Sequence, residues 1–184
     1  MLKTALALAV GLSSTLATAN DTITIDDIPT IQSVIQTSVS PDGDSVAFTL
    51  SVPRTLYKYT NGRNYSELYI VDDEGVERPY ITGNVNIGSI QWSKDSKTIY
   101  FLAKLNDEKF TSQYQIPVDG GQAQKVMSLK DTSISSYELS PDNQKVAILA
   151  LPAKDKSEKE LKKLGFMAEV YELGLDNKQL FIVS

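Results

Sequence analysis

The feature that most constrains the fold is a short turn-and-strand unit that occurs three times. The letters SPD at 40–42, SKD at 93–95 and SPD at 140–142 each precede a strand-like run, and successive copies are about fifty residues apart. The run after the first copy, VAFTLSV, places its larger apolar residues at alternate positions, which is typical of a β-strand with one buried face. A strand-rich period near fifty residues is typical of β-propeller blades, each of which is a four-stranded antiparallel sheet.

The sequence from 20 to 184 follows this pattern and predicts an all-β fold, the N-terminal part of a β-propeller. We place the blades at about 36–84, 85–132 and 133–184, with the third incomplete. The chain then supplies about two and a half to three four-stranded blades. Asp-Gly and Gly-Gly pairs stand between predicted strands, and they accept the positive φ angles of tight hairpin turns.

Two segments outside the blade pattern predict short helical pieces. Before the first blade, Asp26 or Asp27 can cap a helix and Pro29 suits its first turn. Three isoleucines of this segment lie at helical spacing, namely Ile28, Ile31 and Ile35. Within the third blade, the charge-dense segment 153–165 predicts a solvated loop with one helical turn.

The first 19 residues have the features of a secretory signal peptide. A positive charge at Lys3 is followed by an apolar run over 5–12 and by small residues at 17–19, so cleavage is expected after Ala19. The apolar run is shorter than the roughly 20 residues of a membrane-spanning helix. The chain has no cysteine, which excludes a lipoprotein anchor and disulfide bonds. We therefore expect an exported protein, periplasmic or extracellular, without a membrane anchor.

The residue types that most catalytic sites need are absent from the sequence. It contains neither histidine nor cysteine, which removes Ser-His and Cys-His nucleophile pairs and the common zinc ligands. It has no G-x-S-x-G nucleophile elbow and no glycine-rich phosphate loop. A formal net charge of −5 without a basic cluster argues against a nucleic-acid partner. We therefore assign no catalytic, cofactor-binding or metal-ligating residue, and no cofactor.

Three acidic stretches and one aromatic loop are weaker candidates. The carboxylate pairs at 26–27 and 72–73 could serve glycosidase-type chemistry, but their cap and turn positions favour a structural role. The stretch DGD at 42–44 resembles half a calcium loop, but no further acidic ligands follow at the required spacing, which favours a hairpin turn. The connection KYTNGRN at 58–64, with Tyr59 inside it and Tyr57 and Tyr65 on either side, could line a ligand surface or pack as an ordinary loop.

The number of blades raises the question of how their outer faces are covered. Propellers close a ring with about four to eight blades, more than this chain supplies. Two open faces of ~400 Å² each would cost ~20 kcal/mol at ~25 cal/mol per Å² of apolar surface. That exceeds the ~5–15 kcal/mol by which a domain is usually stable. We therefore expect the chain to be part of a longer protein. The alternative is that it assembles with other copies of itself to close a ring.

Several segments carry a family resemblance. The first is ITIDDIPTIQSVIQTSVSPDGDSVAF at 23–48, in which an Asp-led short helix and a spacer precede Ser-Pro-Asp-Gly. The others are LYIVD at 68–72, IQWSKDSKTIYFLA at 90–103, IPVDGGQAQKV at 116–126 and EVYELGLDNKQLFIV at 169–183. Together they resemble the propeller of the prolyl-oligopeptidase family of serine peptidases, in particular its acylaminoacyl-peptidase-like branch.

The resemblance implies a propeller of about seven blades above a C-terminal α/β-hydrolase domain. The nucleophilic Ser, the Asp and the His of the family lie in that second domain, so none of them maps onto this sequence. The chain would then be the N-terminal portion that gates the access of short peptides to acyl transfer and hydrolysis. Tol-type periplasmic propellers share the Ser-Pro-Asp-Gly turn, so a non-catalytic propeller that binds proteins or small ligands is the alternative.

Overall fold

The structure is a computed structural model that describes residues 23–55, 58, 61–153, 160–161, 163–166 and 177–183. The predicted signal peptide, 1–19, lies outside these residues. Within them, no helix is long and apolar enough to cross a membrane.

The described residues form two four-stranded sheets and one three-stranded sheet, all antiparallel. The first sheet has the order β1-β2-β3-β4, the second β5-β6-β7-β8, and the third β11-β10-β9. The strands are β1 (Ser33–Val39), β2 (Ser45–Val52), β3 (Tyr65–Asp72), β4 (Glu77–Ile81), β5 (Gly88–Trp92), β6 (Thr98–Ala103), β7 (Ser112–Pro117), β8 (Gln124–Met127), β9 (Ile134–Leu139), β10 (Val146–Ala150) and β11 (Gln179–Val183). The predicted all-β fold of an incomplete propeller is confirmed.

The predicted helix before the first sheet is present, but it is one 3-10 turn over Ile28–Thr30. Asp27 occupies the N-cap position without a capping side-chain bond, and the backbone is already extended at Ile31. The helical spacing therefore does not reach Ile35, which lies in β1 at a bulge. Pairing of β1 with β2 explains the difference, because a strand partner supplies backbone hydrogen bonds that a short isolated helix cannot match.

Two apolar clusters hold the three sheets together. The larger lies between the first and second sheets, where Leu68 and Ile70 pack with Trp92, Ile99 and Phe101. The smaller lies between the second and third sheets and is formed by Leu102, Ile134, Tyr137 and Ile148. The second sheet has a neighbour on each face. Its strands are therefore apolar on both sides, as in a blade that lies between two others.

The two outer sheet faces are not covered by any described residue. Phe48 and Phe101 stand at the same position of the repeat, but Phe101 is fully buried whereas Phe48 is half-buried on the face turned away from the second sheet. On the third sheet, Leu180 is 63% exposed and Ile182 is 68% exposed. The described sheets thus form an arc and do not close into a ring.

The charge-dense segment 153–165 is only partly described. Within it, Glu160, Leu161 and Lys163 have helical backbone, and the amide of Leu164 donates to the carbonyl of Glu160 at 3.1 Å. The side chains of Glu160 and Leu161 are exposed. The helical turn agrees with the prediction, and the rest of the predicted solvated loop, 154–159, lies outside the described residues.

Candidate functional site

The three repeated turns share one hydrogen-bond pattern. In the first, the Ser40 hydroxyl donates to Asp42 Oδ1 at 2.6 Å and accepts from the Ser45 amide at 3.0 Å, while the same Asp42 oxygen accepts from the Asp44 amide at 3.2 Å. The second and third turns repeat each of these bonds, from Ser93 to Asp95 and from Ser140 to Asp142. The Ser and the Asp of the motif are therefore the residues that fix the turn.

The backbone of each turn explains the residue that follows the Asp. The amide of Gly43 donates to the carbonyl of Ser40 at 2.9 Å, and Gly43 has a φ of 86°. The equivalent residues Ser96 and Asn143 have φ angles of 59° and 56°. Glycine adopts this left-handed region at no cost and asparagine is the next most tolerant residue, which accounts for two of the three choices.

The carboxylates of these turns are charged structural groups. The Ser40 hydroxyl, more than any other group, lowers the pKa of Asp42, and Ser93 and Ser140 likewise lower the pKa of Asp95 and Asp142. The stretch 42–44 thus forms a hairpin turn, as the sequence favoured over a half calcium loop. Within the described part of the chain, no three acidic residues lie together as a metal site would need.

Hydrogen bonds between side chains and backbone groups join the first and second sheets. The indole Nε1 of Trp92 donates to the carbonyl oxygen of Ser38 at 2.9 Å. Close by, the amide of Ile90 donates to Gln36 Oε1 at 3.3 Å, and the amide of Asp42 donates to the Ser96 hydroxyl at 3.1 Å. These bonds fix the first repeated turn against the second.

Gln91 makes the corresponding connection from the second sheet to the third. Its Nε2 donates to Glu138 Oε2 at 2.9 Å and to the carbonyl of Tyr137 at 3.3 Å, while its Oε1 accepts from the amide of Leu139 at 3.2 Å. A single side-chain amide therefore uses both of its ends to hold the inner strand β9 next to β5.

A cleft of about 350 Å³ lies where β1, β5 and β9 end, and we call it the turn cleft. Each sheet contributes residues from equivalent repeat positions. The apolar position just before each turn is Val39, Trp92 or Leu139, and the turn corner is Pro41, Lys94 or Pro141. Gln91, Glu138 and Asn143 add polar groups to its lining. The turn cleft is the candidate functional site.

Two residues of the turn cleft depart from the repeat. Lys94 replaces the proline of the other two turns, and Trp92, the single tryptophan of the chain, replaces a smaller aliphatic residue. Sequence reasoning assigned no site residue and missed this cleft, because the three turns meet only in the folded structure. The available signal was the comparison of the three copies, in which both departures fall within three residues of each other.

The other carboxylate pairs have structural roles in the part of the chain that the structure describes. Asp72 accepts from the amide of Val76 at 2.8 Å and pairs with Arg78 at 2.5 Å, and the bond from Val76, followed by Arg78, lowers its pKa. Asp27 accepts from the amide and the hydroxyl of Thr24 at 2.8 and 2.7 Å. These bonds support the turn interpretation for Asp72, whereas Asp27 stands at the N-cap position but accepts from the preceding Thr24 and caps no helical amide.

The aromatic loop is described only at its edges. Tyr65 begins β3, is 9% exposed, and has the guanidinium of Arg54 at 4.4 Å from its ring centre. Tyr57 and Tyr59 lie outside the described residues. The position of Tyr65 favours loop packing over a ligand surface for that residue.

No protein-family model matches the chain, and no curated protein matches it. Solved structures do match. An acylaminoacyl peptidase from Pyrococcus horikoshii matches with a TM-score of 0.54 at 16% identity, over 71% of this chain and 20% of that one. The tricorn protease matches with a TM-score of 0.50 at 11% identity, over 81% and 17%. A TolB-like protein from Agrobacterium tumefaciens matches with a TM-score of 0.49 at 22% identity, over 66% and 41%.

These identities are low, so the likeness concerns the fold alone. The chain spans 41% of the TolB-like protein and smaller shares of the two peptidases. The likeness therefore identifies no particular branch of propeller proteins. The fold is that of part of a β-propeller domain.

Proposed function

We propose that the chain is the N-terminal, substrate-gating propeller portion of an exported serine peptidase that hydrolyses short peptides. The catalytic Ser, Asp and His belong to an α/β-hydrolase domain outside these 184 residues, since the sequence contains no histidine. This chain would restrict which molecules reach that domain.

The observation that carries the proposal is the agreement between sequence resemblance and fold over residues 23–48. The resemblance is to a peptidase propeller that opens with an Asp-led helix, a spacer and Ser-Pro-Asp-Gly. The structure has these parts in the same order, with the 3-10 turn Ile28–Thr30 followed by β1, the turn at 40–42 and β2. The fold likeness to the acylaminoacyl peptidase is in keeping with this.

The geometry of the inner strands supports a gating role. Neighbouring sheets approach each other through β1, β5 and β9, so these strands lie nearest the axis around which the sheets are arranged. The turn cleft opens at their ends and has a volume of about 350 Å³, within the roughly 300–1,000 Å³ of small-ligand sites. A cleft of this size accommodates part of a short peptide.

The proposed location outside the cytoplasm rests on the N-terminal sequence. Lys3, the apolar run 5–12 and the small residues ending at Ala19 form a signal peptide pattern.

The decisive experiment is to read the source gene through and beyond the codon for Ser184 and to express the complete reading frame. We expect further blades, then G-x-S-x-G, an Asp and a His, and we expect the product to hydrolyse short chromogenic peptides. Replacement of the elbow serine by alanine is the inactive control. Folded proteins offered at the same concentration should remain intact.

Two results would contradict the proposal. One is a reading frame that ends at Ser184 or continues only with blades, which would favour the binding propeller. The other is peptide hydrolysis by the purified 184-residue chain, because its sequence offers no histidine to serve as general base.

A further inference from the structure

The side chain of Lys94 takes no part in the hydrogen bonds that form its own turn. Proline stands at this corner in the other two copies and presets the φ angle of the turn, so lysine gives up rigidity there. Its side chain is exposed and lines the turn cleft. Among the described residues, ion pairs join Arg78 to Asp72 and Lys125 to Glu108, and neither involves Lys94.

Apolar side chains form part of the wall of the turn cleft, and Trp92 among them is held in position. Trp92 is only 8% exposed, and its bond to the carbonyl of Ser38 fixes the orientation of the indole. Val39 and Leu139 stand at the equivalent positions of the neighbouring sheets, and the rings of Pro41 and Pro141 complete the lining. A cation beside a rigid apolar wall suits a ligand with an anionic end and an apolar body.

The other charged group of the cleft is Glu138, which opposes an anion. One of its oxygens accepts from Gln91 Nε2, so part of its hydrogen-bonding capacity is already used. Lys94 lies toward the third turn, where the Ser140 hydroxyl above all, and also the Lys94 charge, lowers the pKa of Asp142. Removing the charge of Lys94 should therefore weaken the binding of an anionic ligand, and removing the charge of Glu138 should strengthen it.

We propose that the turn cleft binds the C-terminal end of a short peptide, with the Lys94 ammonium pairing with its free carboxylate and the wall around Trp92 holding its last, apolar side chain. The choice of a peptide as ligand rests on the proposed gating function. The binding itself requires no catalysis, so it is measured independently of peptidase activity.

The test uses the fluorescence of Trp92, which reports on this cleft because the chain has no other tryptophan. The purified chain is titrated with the tripeptide Gly-Ala-Leu and with the same tripeptide carrying a C-terminal amide. We expect a saturable change with the acid and an affinity about tenfold weaker for the amide, since the amide loses the charge-assisted bond.

Matched variants locate the charge. Lys94→Met should weaken binding of the acid about tenfold and leave the amide unchanged. Lys97→Met, an exposed lysine of the same turn outside the cleft lining, should leave both affinities unchanged. Glu138→Gln should strengthen binding of the acid about threefold, because it removes the opposing charge.

Equal affinities for the acid and the amide on the unmodified chain would overturn the proposal, and so would the absence of any saturable change. Equal affinities of Lys94→Met and Lys97→Met for the acid would do the same. The comparison of acid with amide needs no substitution, so it decides the matter even where a variant fails to fold. If the complete protein hydrolyses peptides but the turn cleft binds none, only the present proposal fails. If the cleft binds peptides but the gene encodes no hydrolase domain, the gating proposal fails and the peptide site remains.

Discussion

The indole of Trp92 and the carbonyl oxygen of Ser38 are joined by a hydrogen bond of 2.9 Å, although 54 residues separate them in sequence. The bond connects the end of β5 to the end of β1, and it lies in the wall of the turn cleft. The same residue therefore holds two sheets together and shapes the candidate site.

Replacing Trp92 by phenylalanine should lower the free energy of unfolding by about 2 kcal/mol. The variant loses the hydrogen bond to Ser38 and part of the apolar contact between the first two sheets. Urea unfolding followed by far-ultraviolet circular dichroism measures the change, since the fluorescent residue is removed. Val39→Ala, at the equivalent repeat position but 62% exposed, is the control and should cost less than about 0.5 kcal/mol. Equal costs would contradict the bridging role.

Phe101 and Phe48 provide a matched pair for the open face of the first sheet. Phe101 is fully buried and stacks on Tyr114 with ring centres 5.8 Å apart, and Phe101→Ala should cost about 3–5 kcal/mol. Phe48 stacks on Tyr69 but is half-buried, so Phe48→Ala should cost about 1–2 kcal/mol. Urea unfolding of both variants at low concentration makes the comparison. A cost for Phe48 equal to that for Phe101 would mean that another molecule covers the open face in solution.

Hydrogen bonds between residues close in sequence explain why the repeated turns could be recognised from the sequence alone. Each Ser-x-Asp turn is closed by bonds among residues at most five apart, as between Ser40, Asp42 and Ser45. Such turns carry their own information, and the alternation that follows them fixes which residues face each neighbour. The all-β fold of an incomplete propeller could therefore be predicted from the sequence, as could a short helical piece before the first sheet.

Features that depend on strand pairing or on contacts between sheets could not be predicted in this way. The helical spacing at Ile35 was overridden by pairing between β1 and β2, which the local pattern does not encode. The turn cleft needs residues that are about fifty positions apart to converge, and Gln91 reaches Glu138 only because the second and third sheets are adjacent. A repeat reveals the unit, whereas the contacts between units depend on their arrangement.

Stability in acid should depend on the carboxylates of the three turns. The pKa of Asp95 is lowered from its usual 3.8, mainly by the Ser93 hydroxyl, so the folded state favours the charged form. Its contribution to stability is complete above pH 3.8 and disappears as the pH falls through the lower folded-state pKa. Thermal unfolding between pH 7 and pH 2 should show Asp95→Asn less stable at neutral pH and closer to the unmodified chain in acid. Curves that stay parallel over the whole range would show that this carboxylate is not linked to folding.

Stability in alkali should depend on Tyr114. Burial, and then the nearby Glu108 carboxylate, raises the pKa of Tyr114 from 10.0 to about 12. Its neutral form is favoured in the folded state, so its contribution to stability is complete below pH 10 and is lost as the pH rises toward 12. Urea unfolding at pH 9, 10 and 11 should give a shallower decline for Tyr114→Phe than for the unmodified chain.

At neutral pH the same substitution should change stability little. The buried Tyr114 hydroxyl makes no hydrogen bond of good geometry within the described chain, although the Glu108 carboxylate is near enough to raise its pKa, so removing the hydroxyl should cost little. Tyr137→Phe is the second test, because burial also raises the pKa of Tyr137 and its hydroxyl is likewise unpartnered within the described chain. The double variant should have the flattest alkaline decline of all. If either single variant follows the unmodified chain between pH 10 and pH 11, the tyrosine it removes ionises equally in the folded and unfolded states, and its hydroxyl is reached by water.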